Sequence, residues 1–207
     1  MKYAFLLYKN MTDLGAQEII SLAKPSAYNR INNLLIAEIE GNEAVGRISR
    51  RLAYTNSVYL LLFESNCENF ISNMESFDWG SVYKGSFCIR VHRIGMANIG
   101  TIKNNPIKKT NKNYKKINNI KNGKNYCADK STYSEKELAS FIWRKVKNPK
   151  VDLESPKTHI DIFFTEKRAY CCLLLKEIDE YYESRRSHLR PRPSPISLHP
   201  RLAKAMV

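Results

Sequence analysis

The sequence predicts an α+β protein in which apolar strands alternate with short amphipathic helices. Apolar and aromatic stretches of about six residues recur with turn signals between them, and apolar residues at helical spacing fill the intervals. The 43% hydrophobic content of the 207 residues can fill a core. No apolar run approaches the roughly 20 residues of a membrane span, so no membrane contact is expected.

The first third of the chain alternates strands and helices. Strands are predicted at residues 3–8, 34–39 and 58–63, and helices at residues 13–23, 43–53 and 66–74. Lys24 and Pro25 end the first helix, and Gly41 with Asn42 turns the chain before the second. This rhythm indicates a ferredoxin-like layer, and we assign residues 1–76 to an N-terminal ferredoxin-like domain.

A second unit is predicted over residues 77–180. Its first strand, residues 87–94, alternates, so that Phe87, Ile89 and Val91 point one way while Arg90 and His92 point the other. Residues 96–130 are dominated by Asn and Lys and lack aliphatic periodicity, which predicts a loop or a disordered insertion.

The end of the second unit has clearer signals. Ser134 and Glu137 form a capping box before a helix that ends at Asn148 and Pro149. A β-hairpin follows, with alternating residues from Ile160, a polar turn at residues 165–168 and a return strand to Leu175. Asp161 is expected to be an outward-facing, solvated carboxylate. Residues 181–207 hold four of the eight prolines and predict an extended linker with a helix starting at Pro200.

The five cysteines argue against a disulfide framework or a zinc site. Their number is odd, no CxxC pair occurs, and Cys171 and Cys172 are adjacent. This usage favours reduced thiols in a cytoplasmic protein.

The net charge of +14 is concentrated in two segments. Residues 103–124 hold eight lysines and no acid, and residues 185–207 hold five arginines, one lysine and no acid. These charges equal the whole excess, which indicates a polyanion partner, with nucleic acid favoured over an acidic membrane surface.

No catalytic or metal site is predicted. The chain lacks GxGxxG, GxxxxGK, HExxH and EF-hand patterns, and its four histidines have no ligand spacing. Basic side chains can instead bind phosphates, and Arg or His planes can stack on bases. The candidate RNA-binding residues are Arg90, His92, Arg93, Lys108, Lys109, Arg144, Lys145 and Lys147. Trp79 and Trp143 are expected to pack in a core or between domains.

Three segments together resemble a THUMP domain: SFDWGSVYKGSFCIRVHRIG, then SEKELASFIWRKV, then VDLESPKTHIDIFFTEKRAYCCLLL. The tail HLRPRPSPISLHPRLAKAMV is similar to the linker and first helix that join THUMP to the methyltransferase domain in archaeal tRNA guanine-N2-dimethyltransferases. These enzymes also carry an N-terminal ferredoxin-like domain, so the resemblance covers nearly the whole chain.

The resemblance implies binding to the 3′ acceptor end of tRNA. It also implies a separate methyltransferase domain that uses S-adenosylmethionine to methylate a guanine at tRNA position ten. We expect residues 181–207 to be the linker and the start of that domain, so that this chain holds no cofactor and is inactive alone. Two alternatives remain. One is a stand-alone adaptor that acts in trans with a separate tRNA-modifying enzyme. The other is a fragment of a thiouridine or pseudouridine synthase, although neither a pyrophosphatase loop nor a catalytic Asp domain is recognised.

Overall fold

The computed structural model describes residues 1–95, 133–178 and 198–206, together with residues 182, 184–186, 189 and 191–192. The strands are β1 Lys2–Leu7, β2 Ala27–Ile31, β3 Leu34–Glu38, β4 Thr55–Asn66, β5 Phe87–Arg93, β6 Thr158–Phe164 and β7 Arg168–Glu177. The helices are α1 Thr12–Ala23, α2 Asn42–Arg51, α3 Phe70–Ser76, α4 Glu135–Lys145 and α5 Pro200–Ala205, with a short 3₁₀ turn at Trp79–Ser81. This mixed architecture agrees with the predicted α+β class.

The seven strands within the described residues belong to one sheet, in the order β2-β3-β1-β4-β7-β6-β5. In the first half, β1 pairs antiparallel with both β3 and β4, and β2 pairs antiparallel with β3. In the second half, β5 and β6 are parallel and are connected through α4, while β6 and β7 form the predicted antiparallel hairpin. The antiparallel pairing of β4 with β7 makes the sheet continuous. The division of the chain at residues 76 and 77 stays a prediction.

Two elements differ from the sequence predictions. Strand β2 was not predicted, because it is an edge strand with mostly exposed residues and therefore lacks a repeating apolar face. The helix predicted at residues 66–74 starts only at Phe70, because β4 continues to Asn66 and a turn follows it.

The capping box of α4 is confirmed. The Ser134 hydroxyl accepts the Glu137 N–H at 3.2 Å, and the Glu137 carboxylate accepts the Ser134 N–H at 2.8 Å. The hydrogen bonds from Ser134 hold the pKa of Glu137 below its usual value. Two N–H groups that a helix start leaves unpaired are thus satisfied, which fixes where α4 begins beside β5.

The helices lie on one face of the sheet, as the alternation of β4 shows. Val58, Leu60 and Leu62 point into the cores that the helices cover, while Tyr59 and Leu61 point to the opposite face. Helices α1 and α2 cover one core, and α3 and α4 cover the other. Trp79 lies in the second core as predicted, and its indole N–H donates to the Met74 carbonyl at 2.8 Å. A buried indole needs such an acceptor.

The sheet curves toward the side opposite the helices, which we call its second face. A Cβ atom at Gly95, two residues beyond the end of β5 at Arg93, would clash with the side-chain amide of Asn32 in the β2–β3 turn. Strands β2 and β5 are the two edges of the sheet, so the edges approach each other across this face. The curl buries Tyr59 and Phe163 although no described helix packs on them.

The remaining predictions have mixed outcomes. Cys88, Cys171 and Cys172 are free and buried as expected, but Cys67 is disulfide-bonded, contrary to the expected reduced state. No helix in the described part of the chain is long and apolar enough to cross a membrane. The predicted insertion at residues 96–130 lies outside the described residues, and so does most of the predicted linker. The helix expected at Pro200 is present as α5.

Candidate nucleic-acid interface

Arg90, one of the predicted site residues of β5, is engaged by an acidic group. Arg90 Nη1 lies 3.7 Å from Glu135 Oε2, and the other oxygen of that carboxylate accepts the Val91 N–H at 3.2 Å. The charge of Arg90 is therefore opposed by the first residue of α4. Arg93 is exposed at the end of the strand.

Arg144, Lys145 and Lys147 lie at the other end of the second half. Helix α4 runs from Glu135, beside Val91, back toward the start of β5, and a rise of about 1.5 Å per residue puts Arg144 roughly 14 Å from Glu135 along the axis. The structure thus separates the predicted residues into two groups. All three basic residues at the end of α4 are exposed, and Lys145 Nζ donates to the Phe77 carbonyl at 3.3 Å.

Three further lysines, which the sequence analysis missed, lie at the same end. The Lys84 N–H donates to Thr158 Oγ1 at 2.9 Å, and the Lys157 N–H donates to Ser86 Oγ at 3.0 Å. The Tyr83 hydroxyl accepts the Lys150 N–H at 3.1 Å and donates to the Asn148 carbonyl at 3.0 Å. These bonds hold three loops together. We call this surface the basic end, formed by Lys84, Arg144, Lys145, Lys147, Lys150 and Lys157.

The charges of the basic end are available to a ligand. All six side chains are exposed, and none of them forms an ion pair with another described residue. The nearby Asp152 Oδ1 accepts the N–H groups of Ser155 at 3.0 Å and Glu154 at 3.1 Å. The hydrogen bond from Ser155 lowers the pKa of Asp152, and the charge of Lys150 adds to this effect. The Asp152 carboxylate therefore stabilises the turn that contains it and forms no ion pair with the lysines of the basic end.

An exposed aromatic ring borders the basic end. Trp143 was expected to be packed, but half of it is exposed (50%), because it lies on the outer side of α4 while Leu138 and Ile142 face the core. An exposed indole beside several lysines provides a stacking surface next to phosphate-binding charges, the combination that single-stranded nucleic acids bind. The sequence signal was the position of Trp143 directly after Ile142 and directly before the basic residues.

The second face of the sheet holds another polar group of side chains. His92 Nε2 lies 3.3 Å from Asp161 Oδ2, and His159 Nε2 lies 3.1 Å from Asp161 Oδ1. The His92 ring stacks on Phe163, with centroids 4.9 Å apart and planes at 20°. The expectation of a solvated Asp161 is wrong, since its side chain is only 4% exposed. Alternation in β6 does point Asp161 away from the helices, but the curl of the sheet covers that face.

The electrostatics of this cluster follow from the buried carboxylate. Burial alone would raise the pKa of Asp161, but contacts from His159, His92 and Tyr59 hold it well below its usual value. The same contact with Asp161 raises the pKa of His159. Burial, followed by the charge of Asp161, raises the pKa of the Tyr59 hydroxyl. The cluster is thus an ionised acid between imidazole rings.

A cavity of about 780 Å³ also lies on the second face, between the β2–β3 hairpin and the β6–β7 turn. Two of its basic groups are neutralised, since Lys2 Nζ and Arg168 Nη1 lie 3.2 and 3.3 Å from the two oxygens of Glu64. Glu38 and Glu166 add negative charge to the lining, which leaves Lys167 as its other basic residue. The basic end is therefore the better anion surface. Lys108 and Lys109 lie outside the described residues. No group of three or more His, Cys, Asp or Glu side chains within the described part is arranged to hold a metal ion.

No protein-family model and no curated protein matches the sequence. The fold resembles solved structures at low sequence identity. TrmN from Thermus thermophilus is 15% identical, with a TM-score of 0.53 over 86% of this chain and 46% of that one. A possible methylase from Clostridium difficile 630 is 10% identical, with a TM-score of 0.51 over 84% of this chain and 40% of that one.

A predicted N6-adenine-specific DNA methylase from Listeria monocytogenes is 6% identical, with a TM-score of 0.51 over 84% of this chain and 40% of that one. The chain thus spans less than half the length of these proteins. At this identity, the likeness establishes a shared fold.

Proposed function

We propose that this protein binds tRNA through the basic end and recognises the 3′ acceptor end. The observation that carries the proposal is the group of six exposed cations without acidic partners in the described chain, beside the half-exposed Trp143. Lysines neutralise phosphates, and an indole can stack on an unpaired base such as those at the tRNA end. The net charge of +14 agrees with a polyanionic ligand.

The proposal includes the domain arrangement. The order β1-α1-β2-β3-α2-β4 is that of a ferredoxin-like unit, and its four strands form the contiguous group β2-β3-β1-β4. We assign the remaining elements to a THUMP domain of the archaeal tRNA guanine-N2-dimethyltransferase type, acting in the cytoplasm. The Asp152 turn and the capped helix α4 lie in the segments that carry this resemblance.

The catalytic partner is proposed to be a methyltransferase domain, either in the same protein or in a separate chain. The fold shared with part of two proteins described as a possible methylase and a predicted DNA methylase agrees with this assignment. S-adenosylmethionine would be bound by that partner and not by this chain. The purified chain is expected to transfer no methyl group from S-adenosylmethionine to tRNA, and measurable transfer of radiolabelled methyl would contradict the assignment.

A charge-reversal pair tests the basic end. The variant Lys150→Glu/Lys157→Glu is expected to weaken tRNA binding by about tenfold or more and to reduce the salt dependence of the binding constant, because fewer counterions are released. Fluorescence anisotropy with labelled tRNA at several salt concentrations measures both. The matched control is Lys136→Glu/Lys167→Glu, which changes the net charge equally at exposed positions at the opposite end of the strands, the first at the start of α4 beside Val91 and the second in the β6–β7 turn. Equal losses of tRNA affinity in both variants would mean that the overall charge of the protein binds the RNA and that the basic end has no special role.

Truncated RNAs test the acceptor-end proposal. Removal of the single-stranded 3′ end of the tRNA is expected to weaken binding more than removal of the anticodon arm, because only the first removes unstacked bases near Trp143. Competition between the two truncated RNAs and intact tRNA gives the ratio of affinities directly. Similar losses for both would leave RNA binding in place but reject the acceptor end as its target.

A further inference from the structure

We propose that His92 and His159, held by Asp161, form a second anion site that binds an RNA phosphodiester only when a histidine is protonated. The proposal rests on the RNA binding proposed above and adds a proton-linked contact to it. It places that contact on the second face of the sheet, outside the basic end.

The geometry gives the two rings a shared anchor. Each histidine directs its Nε2 atom to a different oxygen of Asp161, at 3.3 and 3.1 Å. The carboxylate is 4% exposed, whereas the His92 and His159 side chains are 36% and 23% exposed. Solvent and ligands therefore reach the imidazole rings but not the acid. Stacking on Phe163 further fixes the His92 ring.

The chemistry of imidazole makes this site dependent on a proton. A neutral ring has one N–H, and the nearby carboxylate favours placing it on Nε2, 3.1 to 3.3 Å from Asp161. Nδ1 is then an acceptor that repels a phosphate oxygen. A protonated ring has a second N–H, which donates a charge-assisted hydrogen bond. Histidine is the side chain whose proton exchanges near neutral pH, and contact with Asp161 extends the charged range of His159 upward.

Other charged and titratable groups lie around the rings, and some of them shift the pKa of His159. On β5, Arg90 lowers the pKa of His159 but is itself opposed by Glu135 of α4, and on β7, Glu177 raises the pKa of His159. Burial raises the pKa of the Cys88 thiol to about 11 and that of Cys172 well above its usual value. The Tyr59 hydroxyl of β4 is also held neutral by its raised pKa. These thiols and the phenol therefore stay neutral near neutral pH, where imidazole is the side chain that exchanges a proton.

The site adjoins the basic end along β6. His159 follows Lys157 by two residues, about 7 Å along an extended chain. The hydroxyl of the intervening Thr158 accepts the Lys84 N–H. Lys84 and Lys157 of the basic end therefore both lie next to Thr158, one residue before His159. His92 lies further along β5 on the same face, since its register partner is Phe163. A strand of RNA bound at Lys84 and Lys157 can thus continue toward the exposed parts of the two imidazole rings.

The test is the affinity of the full chain for tRNA between about pH 5.5 and pH 8.5 at constant ionic strength. We expect the wild-type protein to bind about tenfold more tightly at the acidic end, the effect of one charge-assisted hydrogen bond. His92→Gln/His159→Gln is expected to lose this gain, so that its affinity for tRNA stays nearly constant across the pH range. The control His199→Gln, at the start of α5, is expected to retain it.

Phosphate alone gives a second readout that is independent of RNA. Inorganic phosphate added at about pH 6 is expected to shift the imidazole NMR signals of His92 and His159, and to leave them unchanged at about pH 8.5. The variant Asp161→Asn removes the anchoring charge, so the midpoint of the pH gain in tRNA affinity is expected to move to lower pH.

The outcomes separate this inference from the proposed function. If the double histidine variant keeps the pH gain, or phosphate shifts neither ring at acidic pH, the histidine site is rejected. If Lys150→Glu/Lys157→Glu weakens binding while the histidine variant changes nothing, the basic end stands without this site. If only the histidine variant alters binding, the histidine site stands and the basic end is wrong.

Discussion

At the scale of single residues, Asp161 shows how a strand position predicted to be solvated becomes buried. The alternation of β6 correctly directs Asp161 to the face opposite the helices, but sequence periodicity does not report that the sheet curls over that face. A buried carboxylate is tolerated only with compensating partners. His159 lies two residues before Asp161 in β6, whereas His92 and Tyr59 come from β5 and β4, which no local sequence pattern connects to Asp161.

The pH dependence of stability tests this pairing. The lowered pKa of Asp161 contributes stability that is present above its unfolded value of about 3.9 and is lost as the pH falls through the folded value. The raised pKa of His159 contributes stability that is present below its unfolded value of about 6.5 and is lost as the pH rises through the folded value. The substitution Asp161→Asn should therefore lower the free energy of unfolding most, by about 2 kcal/mol, between about pH 4 and pH 6.5.

Urea unfolding of the wild type and Asp161→Asn across this range measures the difference in the free energy of unfolding. Glu166→Gln, at an exposed position in the β6–β7 turn, is the matched control and should show little dependence on pH. A cost for Asp161→Asn that stays constant up to about pH 9 would mean that the histidine charge does not stabilise the fold.

At the scale of secondary-structure elements, sequence patterns correctly predicted the features that depend on interactions between residues close in sequence. The capping box of α4, the hairpin of β6 and β7 and the helix start at Pro200 are present because each depends on residues a few positions apart. Strand β2 was missed because its pairing with β3 supplies its stability, and its own residues lack an apolar face. Arg144, Lys145 and Lys147 were found as a run, whereas the other lysines of the basic end join them only through contacts between loops.

The capping box yields the prediction for α4. Ser134→Ala removes the acceptor for the Glu137 N–H and should lower the free energy of unfolding by about 1 kcal/mol. The matched control is Ser140→Ala in the same helix, whose hydroxyl donates only to the Glu137 carbonyl within the helix and whose loss should cost little. Denaturant unfolding compares the two, and an equal effect would mean that the cap does not stabilise the helix start.

At the scale of the whole molecule, one sheet connects the two predicted domains. Strands β4 and β7 pair along their length, from Ser57 opposite Glu177 to Asn66 opposite Arg168. Leu60 packs beside the core under α1 and α2, and Leu62 packs beside the core under α3 and α4. One strand therefore belongs to both cores. The boundary drawn at residues 76 and 77 follows changes in composition, which do not reveal a shared strand.

We therefore expect the chain to unfold in one cooperative transition. Loss of either core would expose one side of β4 and break its pairing with β7, so the free energy of each half depends on the other. In scanning calorimetry, the calorimetric and van't Hoff enthalpies of unfolding should agree. The substitution Phe164→Ala would create a cavity in the second core. Loss of a large buried ring lowers the free energy of unfolding by about 3 to 5 kcal/mol, so the variant should show one transition at a lower Tm and not two separate transitions. Two separate transitions, of which only one responds to Phe164→Ala, would instead establish two independently folding domains despite the continuous sheet.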